Sequence, residues 1–129
     1  MRRAILVVLL AAMSGSASAK WVSAGRTDTL TAYIDPATVR TTGHTVRVWQ
    51  LYDYKSAQSS SDGKSYLSTR SRYEYDCNEK RTREILIRAH LKNMGAGKVV
   101  GTVSSPGEWN PIPPDSILET IWEIACRKR

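Results

Sequence analysis

The stretch from Tyr66 to Cys77, YLSTRSRYEYDC, decides the fold. Its alternate positions form two sets, one mainly apolar or aromatic and the other mainly charged. Because successive side chains of a β-strand point to opposite faces, this period of two predicts a strand between a core and solvent. The core set is Leu67, Thr69, Ser71, Tyr73, Tyr75 and Cys77, and the charged set is Ser68, Arg70, Arg72, Glu74 and Asp76.

The following segment repeats the pattern and predicts an antiparallel hairpin. A turn at residues 78–81 leads into a second run that ends near Leu91. Its alternate positions again separate an apolar face from a charged one, so the hairpin as a whole has one core face and one charged face. The core positions are Ile85, Ile87, Ala89 and Leu91, and the charged positions are Glu84, Arg88 and His90.

Shorter strands on both sides extend the hairpin to a sheet of about six strands. We expect Asp35-Pro36 to end one of them in a turn or short helical turn through Val39, since proline cannot donate to a strand ladder. The serine-rich residues 55–64 are typical of a solvated loop, and residues 93–97 of a glycine turn. The additional strands are predicted at residues 20–24, 29–34, 45–54 and 98–103.

The C-terminal segment changes to helical spacing. Beyond the proline-rich residues 111–114, Asp115 is placed to cap a helix whose apolar stripe fits the core face of the hairpin. Cys77 belongs to that face, and Cys126 lies in the predicted helix. One disulfide between these two cysteines is favoured over thiol chemistry, which lacks a Cys-x-x-Cys spacing. The predicted fold is α+β, a single antiparallel sheet with a C-terminal helix pinned to one face.

Length and composition limit the chain to one small domain behind an export signal. The 129 residues include 19 Lys and Arg against 12 Asp and Glu. Residues 1–19 combine a positive start, an apolar run and the small-residue sequence Ala17-Ser18-Ala19, as secretory signals do. We therefore expect residues 20–129 to form an exported domain in an oxidising compartment. No cysteine ends the signal, which predicts a periplasmic or secreted protein rather than a lipoprotein, and no later stretch is long enough to span a membrane.

Catalytic, metal and cofactor sites are not predicted. His44 and His90 are isolated in sequence and lack metal-ligand spacing, so we expect both to be surface residues. Asp35, Asp53 and Asp76 stand at predicted strand ends, where aspartate commonly makes local hydrogen bonds. These residues favour a binding protein over an enzyme.

The charged face of the hairpin is the candidate binding site. Clustered cations steer acidic partners, so we expect a protein or acidic glycan ligand. The alternative is a solvated face on which Glu74, Asp76 and Glu84 pair with the arginines. Nucleic acid is excluded as a partner because no continuous basic stripe with stacking aromatics is present. The candidate binding residues are Arg70, Arg72, Arg88, Lys92 and Lys98.

The strand at residues 45–54 is apolar on both faces. Trp49 and Leu51 alternate with Tyr52 and Tyr54, which a sheet covered by a single helix does not explain. A second cover is required. It is either the loop at residues 107–114, which carries Trp109, or a second subunit in a homodimer.

Several segments in order resemble the surface-adhesin protein E family of Gram-negative bacteria. They are Tyr33 to Arg40 (YIDPATVR), Val46 to Trp49 (VRVW), Tyr73 to Cys77 (YEYDC), Met94 to Val100 (MGAGKVV) and Trp109 to Ser116, followed by Trp122 and Cys126. The resemblance implies an antiparallel sheet with a bridged C-terminal helix, a dimer, and attachment to host extracellular-matrix and serum glycoproteins. It also implies a non-enzymatic binding domain. Association with the outer-membrane surface is a further implication of the resemblance. The alternative is a periplasmic accessory protein that binds an envelope enzyme or assembly partner.

Overall fold

One antiparallel sheet and one C-terminal helix make up the computed structural model, which describes residues 20–104 and 106–129. This confirms the predicted sheet with its covering helix, while the predicted signal at residues 1–19 lies outside the described residues. The elements are β1 (Val22–Arg26), β2 (Leu30–Thr42), β3 (Thr45–Ser59), β4 (Ser65–Asp76), β5 (Arg81–His90), β6 (Val99–Val103), β7 (Asn110–Pro111) and α1 (Ile117–Arg127).

The strands form a meander in which neighbours along the chain are neighbours in space. Strands β1 to β6 lie in chain order, and the short β7 pairs with β5 beside β6. In the centre of the sheet, Val46 of β3 lies opposite Tyr75 of β4, and Val48 lies opposite Tyr73. All four side chains are buried under α1, so this central pair of strands provides the floor of the core.

The helix packs its apolar stripe on this floor. Ile121 and Ala125 are fully buried against the sheet. The N-cap is Ser116, whose Oγ accepts a hydrogen bond of 3.1 Å from the backbone N–H of Glu119. The prediction that Asp115 caps the helix is therefore wrong by one residue. Ser116 and Glu119 have the spacing of a capping box, and Asp115 instead adopts a positive φ of 58° in the turn before the helix.

Strand β2 does not end at Asp35-Pro36, contrary to prediction. Its pairing with β3 is interrupted between Asp35 and Arg40 and then resumes up to Thr42. Inside the interruption, the Thr38 hydroxyl oxygen accepts a 2.9 Å hydrogen bond from the backbone N–H of Trp49. The Thr38 side chain thus accepts the hydrogen bond of a backbone N–H of β3 where the pairing with β2 is interrupted. The sheet can therefore accommodate Pro36 within a bulge of the strand.

The serine-rich segment is also more regular than predicted. Strand β3 continues to Ser59, and Gln58 lies opposite Tyr66 after a register shift. Only residues 60–64 form a turn, closed by a 2.8 Å hydrogen bond from the Ser60 N–H to the Lys64 carbonyl. Strand pairing uses backbone groups, so polar side chains at this exposed end do not prevent it.

A register shift in the central hairpin moves one predicted charged residue to the other face. Arg72 lies opposite Leu86 but Tyr73 lies opposite Glu84, which leaves Ile85 without a partner in β4. Glu84 consequently shares the helix side of the sheet with Tyr73 and accepts a 2.7 Å hydrogen bond from its hydroxyl. The prediction that Glu84 lies beside Arg88 on the charged face is wrong, because strict alternation fails across a bulge.

The turn at residues 92–97 covers part of the charged face. Leu51, on that face of β3, is fully buried. The Ser68 hydroxyl donates to the Lys92 carbonyl at 2.6 Å and accepts from the Gly95 N–H at 2.9 Å, which ties the turn to β4. The turn therefore supplies the second cover for Leu51 that the apolar strand requires.

The predicted disulfide is present. Cys77, which follows β4, is bonded to Cys126 in the last turn of α1, and their Cα atoms are 5.7 Å apart. The bridge closes a separation of 49 residues and joins the helix to the floor on which it packs.

Removing the bridge should destabilise the fold without unfolding it under mild conditions. For a Cys77→Ser, Cys126→Ser double variant we expect a loss of roughly 4 kcal/mol, because the unfolded chain regains the entropy of a closed loop of this length. Urea denaturation of the two proteins measures the difference. Reductant should lower the midpoint of the wild type alone, and equal midpoints in oxidised wild type and variant would contradict the assigned role.

The turn over Leu51 should depend on Gly95. This residue has a φ of +70°, and a Cβ atom there would lie 2.7 Å from Cδ of Arg70. We expect Gly95→Ala to cost roughly 2 kcal/mol through backbone strain and overpacking. The matched control is Gly101→Ala in β6, where a Cβ atom meets nothing within 4 Å. Chemical denaturation should show a loss for the first variant only, and equal stability of both would contradict the close packing of the turn.

Candidate functional site

The three arginines among the predicted binding residues lie on the face of the sheet opposite α1, and the two lysines lie outside the strands. Arg70 of β4 is directly opposite Arg88 of β5, and Arg72 is opposite Trp49 of β3. The three arginines are therefore brought together, as the period of two predicts. Further along the same face, the rows contain Glu74, Asp76 and three more arginines, so carboxylates decide which cations are free.

One half of this face is neutralised by a buried glutamate. Glu74 is 6% exposed, and its carboxylate accepts hydrogen bonds from Nε of Arg47 at 3.2 Å and Nε of Arg83 at 2.7 Å. Burial disfavours the charged form, but the two guanidinium groups outweigh it and lower the pKa of Glu74. Arg47 and Arg83 are thus held by an internal partner, as the solvated-face alternative supposes.

Asp76 neutralises the end of the same half. Its carboxylate is fully buried and accepts 3.0 Å hydrogen bonds from the N–H groups of Asn78 and Glu79 and a 3.1 Å bond from Nε of Arg81. Burial opposes ionisation, yet these donors prevail and lower the pKa of Asp76. His44 lies 3.7 Å away at the exposed rim, where it was expected. Asp76 therefore has a structural role at the hairpin turn.

The other half has no such compensation. Among residues 20–104 and 106–129, no carboxylate lies within 4.0 Å of a cationic group of Arg70, Arg72 or Arg88. We call these three residues the open arginine cluster. Two other carboxylates on this side have partners of their own: Asp35 accepts from the Ala37 N–H, and Asp53 accepts from the 92–97 turn.

Trp49 supports the open arginine cluster. The guanidinium carbon of Arg70 is 5.4 Å from the centre of its indole ring, and that of Arg88 is 5.8 Å away. Cation–π attraction at these distances fixes both guanidinium groups over one surface. Sequence reasoning treated Trp49 only as an apolar residue in need of cover. The position of Trp49 directly opposite Arg72 was the available indication that its indole ring lies beside the arginines.

Lys92 and Lys98 are only loosely associated with the cluster. Both are exposed, at the two ends of the turn that follows β5. The Lys98 carbonyl accepts a 3.0 Å hydrogen bond from the Leu91 N–H, and neither ammonium group has an ion-pair partner in the part of the chain that the structure describes. They extend the positive charge beyond the cluster without touching it.

Trp109 does not cover the strand at residues 45–54 as predicted. This ring lies 4.9 Å from the guanidinium carbon of Arg81 and 4.7 Å from that of Arg83, on the neutralised half. Pairing of β7 with β5 holds it there, opposite the row that contains Arg83, so it does not cover Trp49. The expectation that residues 107–114 bring Trp109 over the apolar strand is corrected: the arginines cover Trp49, and the 92–97 turn covers Leu51.

His90 is not the surface residue that was predicted. It is 5% exposed, and its Nδ1 lies 3.3 Å from the carbonyl oxygen of Gly97. The turn that follows β5 folds back over the end of the strand, which buries a position that alternation alone assigns to solvent. No group of three potential metal ligands occurs among the described residues.

Part of the helix side of the sheet extends beyond α1. The rings of Tyr54 and Tyr66 meet edge to face at 5.9 Å, next to a cleft of about 330 Å³ whose lining includes Ile87 and Ala89. Val103 at its border is 60% exposed. This apolar area, residues 54, 66, 87, 89 and 103, is the uncovered core face.

Comparison with known proteins agrees with this architecture. The crystal form II structure of Haemophilus influenzae protein E matches with a TM-score of 0.63 and 14% identity over 74% of this chain and 80% of that chain. Protein E from non-typeable Haemophilus influenzae matches with a TM-score of 0.63 and 13% identity over 85% and 77%. At these identities the likeness establishes the fold alone. No curated protein matches the chain in sequence.

No helix in the described ranges is long and apolar enough to cross a membrane.

The family is established by a sequence profile rather than by structural likeness. The profile of Surface-adhesin protein E matches residues 21–127, nearly the whole described chain. The predicted resemblance is thereby confirmed, and an exported or surface-associated adhesin is the class of protein that this family implies. The chain belongs to the surface-adhesin protein E family.

Proposed function

We propose that this protein is an exported, non-enzymatic adhesin that attaches to acidic surfaces of host extracellular-matrix or serum glycoproteins. The observation that carries the proposal is the open arginine cluster, where three cations share one face and none of them is paired with a carboxylate of the described residues. Such uncompensated charge attracts acidic partners and accelerates their approach. Membership of an adhesin family supports the same function.

The split of the face into two halves favours a specific site over a general positive surface. Arg47, Arg81 and Arg83 are each held by Glu74 or Asp76, so they contribute little free charge. The open arginine cluster lies on the same strands, a few residues away. An anionic ligand is therefore attracted to the part of the face that holds the open arginine cluster, with Lys92 and Lys98 beside it.

A dimer is the second part of the proposal. The uncovered core face is a concave, partly solvent-exposed area whose apolar residues are bordered by the polar turn at residues 60–62, and it lies on the opposite side of the sheet from the open arginine cluster. A second copy can cover it and leave both arginine clusters free. Two clusters on one particle would strengthen attachment to a surface through multivalency.

Charge reversal should locate the binding site. We expect Arg70→Glu, Arg72→Glu to reduce binding to immobilised matrix glycoproteins by about tenfold or more, because charge-assisted contacts are replaced by repulsion. Wild-type binding should weaken as salt rises through the physiological range, where the screening length is about 8 Å. Surface plasmon resonance at several salt concentrations measures both effects.

The matched control is Arg127→Glu, Arg129→Glu at the exposed C-terminal end of α1 and the residues after it, which changes the net charge equally. Thermal melts should show that all variants remain folded, since none of the four side chains belongs to the apolar core under α1, and they also report any local loss where the 92–97 turn covers Arg70. Equal losses at both sites would indicate attraction to net charge alone. Full retention of binding by both variants would overturn the proposed site and favour a periplasmic accessory role.

Self-association should depend on the uncovered core face. Light scattering at micromolar concentration should report a dimer for the wild type and a monomer for Val103→Asp, because a carboxylate cannot be buried there without a partner. Val22→Asp on the exposed edge strand β1 is the control and should stay dimeric. A monomeric wild type would remove the dimer from the proposal but leave the arginine site unaffected.

A further inference from the structure

We infer that Arg70 and Arg88 form a binding site for sulfate groups of a linear sulfated glycan. The inference rests on the proposed function and narrows it to one ligand chemistry. It is carried by the geometry of the two guanidinium groups, by the way in which the fold holds them, and by the charges that continue along the face.

The pairing of two arginines directly across strands is unfavourable in the absence of a ligand. Arg70 and Arg88 occupy opposite positions of an antiparallel pair, whose Cα atoms lie about 5 Å apart. Like charges in such positions repel and weaken the sheet. Elsewhere on this face, Arg47 and Arg83 lie in a row with Glu74, and Arg81 lies in a row with Asp76. The row of Arg70 and Arg88 lacks an internal anion, so an external anion would relieve the repulsion.

The fold holds this pair in place. Both guanidinium groups lie over the ring of Trp49. The stem of Arg70 is also covered by Gly95, whose backbone approaches so closely that a Cβ atom would lie 2.7 Å from Cδ. Its Nε is buried and has no hydrogen-bond partner in the described part of the chain. Side chains ordered in advance lose little entropy when a ligand binds, which increases affinity.

The arrangement suits sulfate better than carboxylate. A carboxylate presents two oxygens, which one guanidinium fork satisfies. A sulfate ester presents three terminal oxygens. It can therefore accept hydrogen bonds from two guanidinium groups that lie over the same indole ring. Arg72, about 7 Å further along β4 on the same face, is in position for a second contact. The density of cations around Trp49 therefore matches a ligand with closely spaced anions.

The remaining charges indicate a linear ligand. From the open arginine cluster, the positive charge continues in one direction only, to Lys92 and Lys98 at the far end of β5. In the other direction, Arg47, Arg81 and Arg83 are all paired with Glu74 or Asp76, which offset two of their three positive charges. The free cations thus form a track along the hairpin that extends over about six residues of β4, from Arg72 to the level of the 92–97 turn, or roughly 20 Å. A sulfated glycan chain is linear, so it matches a narrow line of cations. A broad acidic protein surface gives no reason for the cations to lie in a line.

The test uses the full exported chain and three probes: a heparin-derived hexasaccharide, the same hexasaccharide with sulfates removed and carboxylates retained, and polyglutamate. Calorimetry at physiological salt should detect binding of the sulfated probe and at least about tenfold weaker binding of the other two. Titration should also shift the NMR signals of the Arg70 and Arg88 Nε–H groups. Equal affinity for the desulfated probe or polyglutamate would overturn the inference.

Single substitutions assign the site. Arg88→Gln and Arg70→Met, which keeps the apolar stem under Gly95, should each weaken binding of the sulfated probe about tenfold. Arg47→Gln on the same face is the matched control, because Glu74 already holds that charge, and it should change affinity little. Arg88→Lys keeps the charge but removes the guanidinium fork, so it should lose most of the affinity, and full retention would overturn a site built on guanidinium geometry. Equal losses in the Arg47 and Arg88 variants would overturn the site.

Failure of this inference differs from failure of the proposed function. If matrix glycoproteins lose binding on charge reversal at Arg70 and Arg72 but not after enzymatic removal of their sulfated glycans, the adhesin function stands and the sulfate site is rejected. If the sulfated probe binds at Arg70 and Arg88 while no glycoprotein binds, the sulfate site stands and the adhesin function is rejected.

Discussion

The pairing of β3 with β4 is the constraint on which the rest of the structure depends. On one side of this pair, the rows formed by Val46 with Tyr75 and Val48 with Tyr73 make the floor that α1 covers. On the other side, the intervening rows place Trp49 next to Arg72. A slip by one residue would exchange the two faces, so the same register builds the core and assembles the charged face.

The contacts that stabilise the fold and the proposed binding site lie in different parts of the sheet. The end near Cys77 contains the disulfide, the helix contacts and the buried carboxylates of Glu74 and Asp76. The end near Arg70 contains like charges and is stabilised mainly by Trp49 and the 92–97 turn. Repulsion within the site therefore acts on a fold that is anchored elsewhere, which allows unmatched cations to persist.

Sequence periodicity predicted both the sheet and the grouping of Arg70, Arg72 and Arg88, because alternation and the chain order of a meander are local properties. It failed where a single residue breaks the alternation. The bulge at Ile85 moved Glu84 to the helix side, and the turn after β5 buried His90. Both errors arise from contacts that are distant in sequence or from a register shift that leaves no compositional mark. The capping box at Ser116 was visible in the sequence and was assigned one residue too early.

Which cations are free could not be predicted from composition, because an arginine and a carboxylate on the same face pair only if the register places them in one row or in adjacent rows. Glu74 meets two arginines because it lies between Arg47 of β3 and Arg83 of β5. Arg70 occupies the same kind of central position, yet its neighbours across the two strands are Leu51 and Arg88. A central strand position flanked by a buried leucine and a second arginine has no internal source of negative charge. The unpaired charge of this face is thus a consequence of strand register, and an anion from outside the chain is the partner that we propose for it.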